Sequence, residues 1–431
     1  MARLWLATLV VASFVPAVAL AADHPLTIDE AVQLALSRNE RARVADEQIT
    51  VAAAAVEKAR VAFLPLVTAT GSDLGRPYSV ERNGATVTPS NQATSAATFS
   101  QPLVNIPAWP LYRQAQRLLD AQQATSKDAK RVLEFDAANA FINALSVEAV
   151  LDAANRRLET SKSSLAYAQA RVDAQLNSSN DVTRAQLDLA SAVREVASDD
   201  GNVKRAYLAL AFVTNNHVDP PLAPPAPTLK AAANPLAAIK DLVAFAVASR
   251  LDLVASKHAA RAAQLFADEP LLRIVPTLGL AGTVTAASLP FSSGRNTDES
   301  LTASLTWQIY DAGNRYADKH SRDAQQRIAD LNLMTLQRSI ATDVETAAAA
   351  LGSAQAAYRA AADAVTASQK NVEETSTLYR QGLATALELT DANDSRFEAE
   401  VNYAGAEFAM ALAYLALREA MGLEPLGTEL K

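Results

Sequence analysis

The second half of the sequence repeats the first at an offset of about 207 residues, so the chain is expected to fold as two similar units. In the clearest stretch, large residues recur every seven positions in both copies, with Ala, Ser or Thr three positions after most of them. The aligned large residues are Leu151, Leu158, Leu165 and Val172 in the first copy and Tyr358, Val365, Val372 and Tyr379 in the second. Such a heptad frame is typical of long helices that pack closely side by side. Neither copy can bury this seam alone, so the sequence predicts a duplicated, mainly α-helical fold.

Residues 1–21 have the features of a secretory signal peptide. Arg3 precedes an apolar run, 4–20, and the small residues of Ala19-Leu20-Ala21 supply a cleavage site. The sequence has no cysteine, which excludes a disulfide framework and a lipid-modified cysteine after the signal. The 39 basic and 47 acidic residues, net charge -8, are interspersed, so no basic face for nucleic acid is expected.

The hydrophobic period changes from helical to alternating once in each copy. A helix is predicted from Thr27 to about residue 62, opened by the capping box Thr27-x-x-Glu30. A hairpin is predicted in each copy, and polar loops at Gly75–Asn91 and Ser288–Glu299 separate the two strands of each hairpin. The four predicted strands span about 64–74, 93–104, 275–287 and 300–310.

The last of these strands has the sharpest alternation. Leu301, Leu305 and Trp307 are among its apolar positions, whereas hydroxyl and amide residues fill the other face as far as Tyr310. This pattern over about ten residues is typical of a transmembrane β-strand, and a half-buried soluble strand has the same pattern. Four strands in two matching hairpins favour the membrane interpretation.

Each hairpin is followed by a pair of long predicted helices. One run of about 70 residues contains no proline, so it is expected to extend roughly 105 Å at ~1.5 Å per residue. The four long helices are predicted at about 108–176, 180–213, 311–381 and 385–421. They belong to a first repeat, 22–217, and a second repeat, 236–431, which are joined by a proline-rich connector, 218–235. Within it, Asp219–Pro227 is predicted to be stiff and extended.

The sequence gives little support to catalysis. The four histidines are scattered, and the sequence contains no HExxH, phosphate-binding glycine loop or GxSxG motif. The histidines are His24, His217, His258 and His320. We therefore predict that the protein is not an enzyme and has no catalytic residue, cofactor or metal site.

Two motifs in the second copy are the most specific parts of the sequence. Gln308-Ile309-Tyr310-Asp311-Ala312-Gly313 marks a strand-to-helix junction, and Tyr379-x-x-Gly382-Leu383 precedes the acidic pair Glu388 and Asp391. With the signal peptide and the repeated helix–hairpin–helix-pair order, these motifs resemble the TolC-like outer membrane efflux protein family over nearly the whole mature chain. The first copy departs from the pattern, since it lacks the glycine and offers Asn177-Ser178-Ser179-Asn180.

The resemblance implies a fold, a place and a set of partners. The fold is mainly α with a transmembrane β-barrel, in which a homotrimer closes about twelve strands and a helical tunnel continues across the periplasm. The place is the outer membrane of a Gram-negative bacterium. The implied function is a passive exit channel for efflux or type I secretion, coupled through a periplasmic adaptor (membrane fusion) protein to an inner-membrane pump of the RND, ABC or MFS type.

The acidic pair Glu388 and Asp391 has two interpretations. Thr385-x-x-Glu388 is a capping box, with Ser178-x-x-Asp181 as its counterpart in the first copy, and we interpret Glu388 mainly as a cap. Three chains would also place Glu388 and Asp391 in acidic rings at the closed periplasmic mouth, which is our main interpretation of Asp391. Its counterpart in the first copy is Arg184, which suggests an Asp391–Arg184 contact between neighbouring tips.

The remaining site residues lie at the two ends of the helices. Tyr379 matches a gate tyrosine of the family, although its heptad position equally fits seam packing, and Ala384 stands where the family has a gate arginine. Trp307 and Tyr310 are candidate membrane-interface aromatics, with core packing as the alternative for Trp307. The resemblance also implies that the adaptor docks at the helix tips, which comprise Leu176, Asn177, Ser178, Gly382, Leu383, Ala384 and Thr385.

A second function remains open from the sequence alone. A secreted or periplasmic coiled-coil scaffold, or an adhesin stalk without a membrane barrel, would also use long helices and short soluble hairpins. Membrane fractionation with detergent extraction separates this alternative from the channel.

Overall fold

The computed structural model describes residues 25–82, 85–175, 178–291 and 293–427. The predicted signal peptide and the tip residues Leu176 and Asn177 lie outside the described residues. The helices are α1 (Ile28–Arg38), α2 (Glu40–Arg60), α3 (Ala108–Asp173), α4 (Ser179–Thr214), α5 (Ala226–Ala232), α6 (Ile239–Ser249), α7 (Leu251–Leu272), α8 (Asn314–Arg380) and α9 (Ala386–Ala420). The strands are β1 (Leu66–Gly75), β2 (Val80–Arg82), β3 (Ala85–Thr88), β4 (Asn91–Val104), β5 (Thr277–Ala287) and β6 (Thr297–Thr306).

The predicted duplication is confirmed in the order of the elements. In each repeat, two consecutive helices lead into a strand pair, and a long helix then runs away from the strands and a shorter one returns. The long helices α3 and α8 have 66 and 67 residues, which corresponds to roughly 100 Å each. A rod of this length with strands at one end leaves the helix tips far from the sheet.

The helix predicted from Thr27 to about residue 62 is wrong as a single element. It is divided into α1 and α2 at Asn39, whose backbone is extended and whose side chain accepts a hydrogen bond from the Arg41 backbone N–H at 2.9 Å. An N-cap that satisfies the first turn of α2 gives the chain a stable place to begin a new helix. The second repeat is divided at Arg250 between α6 and α7, where the backbone is again extended.

The four long strands form one antiparallel sheet in the order β1-β4-β5-β6. The pairing of β4 with β5 joins the two repeats, and β1 and β6 are the sheet edges within one chain. Across the sheet, Leu301, Gly282, Phe99 and Val67 form one row of paired residues. The loop predicted at Gly75–Asn91 contains the additional small hairpin formed by β2 and β3.

The prediction that the last strand reaches Tyr310 is wrong for the single chain. Strand β6 ends at Thr306, which pairs with Thr277, the first residue of β5. The pairing of β5 with β6 ends at Thr277 and Thr306, directly after Pro276, which has no backbone N–H to donate. Residues 307–310 therefore have no strand beside them in the part of the chain that the structure describes.

The segment predicted to be extended, Asp219–Pro227, is helical in its last two residues, because a short helix begins at Ala226. Helix α5 lies within 218–235, with Pro227 in its first turn, where the missing N–H costs no hydrogen bond. Before this helix, Leu222 forms an isolated bridge with Leu26. The connector is thus anchored to the start of the first repeat.

The main hydrophobic core lies near the middle of the long helices. Helix α3 contributes Leu133, Phe135, Phe141 and Ile142, which are at most 1% exposed, and α1, α4 and α9 pack around them. A second cluster joins α6, α8 and α9 around Ile340 and Val344. The short helices of each repeat therefore surround the long ones midway between the sheet and the tips.

Candidate gate and docking site at the helix tips

The second tip is a tight turn that depends on Gly382. Helix α8 ends at Arg380, and Gly382 adopts a φ of 81°, in the left-handed region. The Leu383 N–H donates to the Leu378 carbonyl at 2.9 Å, and the Gly382 N–H donates to the Tyr379 carbonyl at 3.1 Å. These are the two hydrogen bonds of a Schellman motif, which ends a helix with its last carbonyls satisfied. Leu383 next to this turn is 72% exposed.

The first tip forms a similar turn without glycine. Gln175 has a φ of 58°, and its N–H donates to the Val172 carbonyl at 2.9 Å. At the offset of about 207 residues, Gln175 is the counterpart of Gly382. This turn residue was not predicted, because glutamine carries no signal for the left-handed conformation. Ser178 begins α4 by accepting a hydrogen bond from the Asn180 backbone N–H at 3.2 Å.

The capping interpretation of Glu388 is confirmed. The Thr385 backbone N–H donates to the Glu388 carboxylate at 2.6 Å, and the Glu388 N–H donates back to the Thr385 hydroxyl at 3.2 Å. The hydrogen bond from the Thr385 backbone, followed by that from its hydroxyl, lowers the pKa of Glu388. The returning helix α9 thus begins at a fixed point, and its first turn carries an ionised carboxylate.

Tyr379 packs in the seam between the first and second helix pairs. Its side chain is 5% exposed and meets the Tyr167 ring edge-on, with the ring centroids 5.6 Å apart. The Arg171 guanidinium lies over the Tyr379 ring at 5.3 Å, and it donates to the Tyr379 carbonyl at 3.0 Å. Arg171 on α3 therefore holds the end of α8, close to the position where the family arginine is replaced by Ala384. A gate role for Tyr379 stays a prediction.

Arg184 and Asp391 do not form an ion pair with each other within the described chain. Both side chains are exposed, on α4 and α9 respectively. The contact expected between neighbouring tips stays a prediction for two different chains. Asp391 nevertheless influences its surroundings, since its charge contributes to the pKa of Asp394, one helical turn further along α9.

A cluster of charged residues centred on Arg157 ties three helices together. The Arg157 guanidinium on α3 contacts Asp188 at 3.2 Å and Glu195 at 2.8 Å on α4, and Asp394 at 2.8 Å on α9. The side chain of Arg157 is 13% exposed, and its guanidinium lies 5.0 Å from the centre of the Phe397 ring. One cation in contact with three carboxylates, on two other helices, links the first helix pair to the second.

The carboxylates around Arg157 are not equivalent. Burial raises the pKa of Asp394, and Asp188 and Asp391 add to this effect while Arg157 opposes it. Beside this cluster, Arg156 and Arg396 both bind Glu400, at 3.0 Å and 2.8 Å. Burial would raise the pKa of Glu400, but hydrogen bonds from Arg396 and Arg156 outweigh it and lower the pKa.

The Arg157 cluster was not predicted from the sequence. Its members lie on three helices and are up to 237 residues apart, as for Arg157 and Asp394. The sequence offers one related observation, Ala384 at the position of the gate arginine that the resemblance implies, and it does not identify these residues.

The two predicted interface aromatics lie at the opposite end of the helices. Trp307 is 57% exposed and donates its indole N–H to the Ile274 carbonyl at 2.9 Å, and Tyr310 is 82% exposed. Core packing of Trp307 does not occur within the single chain. The membrane-interface role of both residues stays a prediction.

None of the helices in the described ranges combines the length and the apolar character needed to cross a membrane.

The chain is similar to proteins of known family. A family model described as outer membrane efflux protein matches residues 31–216 and 242–423. The outer membrane protein TolC of Vibrio cholerae is 23% identical over 381 residues, which cover 85% of this chain and 84% of that protein. These matches include both repeats.

Solved structures show the same fold. CusC superposes with a TM-score of 0.80 at 19% identity, covering 92% of each chain. The open state of the MtrE outer membrane channel of Neisseria gonorrhoeae superposes with a TM-score of 0.76 at 22% identity, covering 92% of this chain and 89% of that one. With two matched repeats, long helices that turn back at capped tips and a four-stranded sheet at the far end, the chain belongs to the outer membrane efflux protein family, whose members are channels of the Gram-negative outer membrane.

Proposed function

We propose that the protein is the outer-membrane exit channel of a tripartite efflux or type I secretion system, and that it works as a passive homotrimer. A periplasmic adaptor protein couples it to an inner-membrane pump of the RND, ABC or MFS type. The observation that carries this proposal is the four-stranded sheet with two open edges at one end of helices roughly 100 Å long. Family membership favours this function over the soluble scaffold or adhesin stalk.

The open edges require other chains in a membrane. Unpaired backbone groups in lipid cost several kcal/mol each, and bacterial barrels begin at about eight strands. Two chains supply about eight strands, whose interior is filled by side chains. Three chains supply about twelve, the smallest assembly of this sheet that leaves a passage.

The two faces of the sheet suit a wall between lipid and water. Leu301, Val67 and Leu305 lie on the same face, and they are 73%, 69% and 67% exposed in the single chain. The other face carries hydroxyl residues such as Thr302, Ser304 and Thr98. An apolar outer face and a polar inner face are the arrangement of a transmembrane barrel with a water-filled interior.

The tips are the proposed gate and docking surface. Arg157 and Arg171 hold the second helix pair, α8 and α9, against the first pair, α3 and α4. In a trimer, Asp391 and Glu388 of the three second tips form acidic rings that favour cations at the mouth. The exposed Leu383 and the turn residues beside it are available to the adaptor. Opening of the channel then requires the second pair to separate from the Arg157 cluster.

The orientation of the channel is tested by labelling cysteine variants in intact cells. The chain has no native cysteine. Tyr78→Cys, in the loop beyond β1, is expected to react with an impermeant thiol reagent, whereas Ser178→Cys at a periplasmic tip is expected to react only after the outer membrane is permeabilised. Equal protection of both positions, or extraction of the protein from cells without detergent, would contradict the proposal.

A further inference from the structure

The two repeats are related by constant shifts along the sequence. Up to the first strand the shift is 211 residues, as shown by Ile28 and Ile239 at the starts of α1 and α6. At the start of the long helix it is 206 residues, as shown by Ala108 and Asn314. The ladders within the two hairpins fit these shifts, because Leu66 pairs with Ser100 and their counterparts Thr277 and Thr306 pair with each other.

When the same shifts are applied to one observed strand pairing, they predict a second pairing that a single chain cannot form. Strand β4 pairs with β5, so the second strand of the first repeat lies beside the first strand of the second repeat. The counterpart of this contact joins β6, the second strand of the second repeat, to β1. Within one chain β6 and β1 are at opposite edges of the sheet, so this contact requires another copy of the chain.

We propose that β6 pairs with β1 of a neighbouring copy in a defined register, with Thr306 opposite the neighbour's Thr70, and that residues 307–310 extend β6 only in this assembly. The register follows from the observed pair Ser100 and Ala281, whose counterparts under the shifts of 206 and 211 residues are Thr306 and Thr70. This register rests on the proposed closed trimer, and it adds which residues of two neighbouring subunits lie opposite each other.

The distribution of apolar residues supports this register. Leu301 and Val67 lie in one row of the sheet, so the odd-numbered positions of β1 and β6 share a face. The proposed register pairs odd-numbered residues with odd-numbered residues, and it therefore places Leu305 and Trp307 beside Gly71 and Ala69 of the neighbouring chain on that face. A slip by one residue would put the apolar face of one strand beside the polar face of the other.

The register also explains why β6 ends early. Residues beyond Thr306 have no partner on β5. In the proposed register, Trp307 and Gln308 lie opposite Ala69 and Thr68 of the neighbouring β1. Beyond the register shift between Pro102 and Val104, Val104 pairs with Leu278 in the observed sheet, and the counterparts of these two residues are Tyr310 and Val67 of the neighbour. The counterparts of Trp307 and Gln308 in the first repeat, Gln101 and Pro102, are paired with β5 in the observed sheet. The alternating sequence through Tyr310 is thus the pattern of a strand whose partner is another chain.

The helices below the sheet have matching open faces. Val44 and Val51 on α2 are 54% and 71% exposed, whereas their counterparts Ala255 and Ala262 on α7 are 9% and 1% exposed. On α8, Arg322 contacts α7 through Glu269, and Leu331, nine residues later and therefore on the opposite face, is 61% exposed. A neighbouring α2 placed beside α8, as α7 lies beside α3, covers both apolar faces.

Cysteine pairs in this cysteine-free chain test the register. Residues directly opposite in an antiparallel pair have Cβ atoms about 5 Å apart, close enough for a disulfide, whereas a shift of four residues adds roughly 13 Å. The full-length trimer is purified in detergent, its mass is measured, and it is then oxidised and examined on a non-reducing gel. Ser304→Cys with Ser72→Cys is expected to give covalently linked trimers. Ser304→Cys with Thr68→Cys is the mismatched control and is expected to give none.

A third cysteine pair tests the extension of β6. Gln308→Cys with Thr68→Cys uses the same position on β1 as the control and is expected to link the chains. Linking by Ser304/Thr68 in place of Ser304/Ser72, or no linking by any pair in a particle of trimer mass, would overturn the register. Linking by Ser304/Ser72 without Gln308/Thr68 would overturn the extension. A particle that is not a trimer before oxidation would instead contradict the proposed function.

Discussion

The middle of the long helices and their tips are held together by different forces. Around Phe141 and Ile142 the contacts are apolar and fully buried, and five helices, α1, α2, α3, α4 and α9, contribute to one core. Near the tips the main links between the two helix pairs are arginines, Arg157 and Arg171, with few large apolar residues around them. Apolar burial gives a permanent, non-directional attachment, whereas charge pairs with partly exposed carboxylates can exchange with water. From this difference we expect the middle to stay fixed and the tips to separate more readily.

The strongest expected effect is on the middle. Phe141→Ala removes a ring that is 0% exposed in the main core, and we expect a loss of about 3–5 kcal/mol in the free energy of unfolding, from lost burial and the cavity left behind. Thermal unfolding of the detergent-solubilised protein measures it. Leu187→Ala, at a 68% exposed position on α4, is the control and is expected to change stability by less than about 0.5 kcal/mol. Similar losses of stability in Phe141→Ala and Leu187→Ala would contradict a middle that is held by apolar burial.

The next effect is on the tips. Arg157→Ala leaves Asp188, Glu195 and Asp394 without their shared cation, so the second helix pair is expected to separate from the first more readily. We expect a higher single-channel conductance in planar bilayers with a loss of stability of about 1–3 kcal/mol, because these carboxylates are partly exposed and remain hydrated. Arg194→Ala, at an exposed position on α4, is the matched control. Unchanged conductance in Arg157→Ala would contradict a role of the Arg157 cluster in the gate.

The two tips can be compared directly through their left-handed residues. Gly382→Ala forces a residue with a Cβ into a φ of 81° and is expected to cost about 1 kcal/mol, whereas Gln175→Gly relieves the same strain and is expected to gain a similar amount at most. The cost of Gly382→Ala is one of backbone conformation alone, because no atom beyond the two neighbouring residues lies within 4 Å of an added Cβ. Hydrogen exchange of the tip amides reports both changes. Opposite signs support the equivalence of the two turns, and equal signs refute it.

The smallest effect is a pH dependence of the middle. Burial, with the nearby charge of Glu424, raises the pKa of Glu134 to about 7. Between the ordinary value of 4.5 and about 7, the folded protein binds this proton more tightly than the unfolded chain does, so stability falls as the pH rises through that window. Glu134→Gln is expected to reduce the fall by about 1 kcal/mol or less, because the group is partly hydrated. An identical pH profile in unfolding experiments would contradict this assignment.

The sequence was sufficient for features that depend on neighbours along the chain. The heptad frame predicted the long helices, the alternation around Leu301 and Leu305 predicted a strand, and Thr385-x-x-Glu388 predicted the cap at the start of α9. The break at Asn39 was missed because the helical periodicity continues on both sides of it.

Features that depend on distant residues were not predictable. The Arg157 cluster combines three separate helices, so no spacing in the sequence identifies it. Gln175 adopts its left-handed conformation in a turn that is held by the surrounding helices, although glutamine does not favour it. The end of β6 is set by its partner in the sheet, because the pairing with β5 stops at Thr277.

The central claim is that three chains close one conducting channel. The most direct test is the mass of the detergent-solubilised particle, measured on the same preparation that is then inserted into a planar bilayer. We predict a particle with the mass of three chains that conducts ions. A stable monomer or dimer that conducts ions would contradict the proposal that three chains are needed.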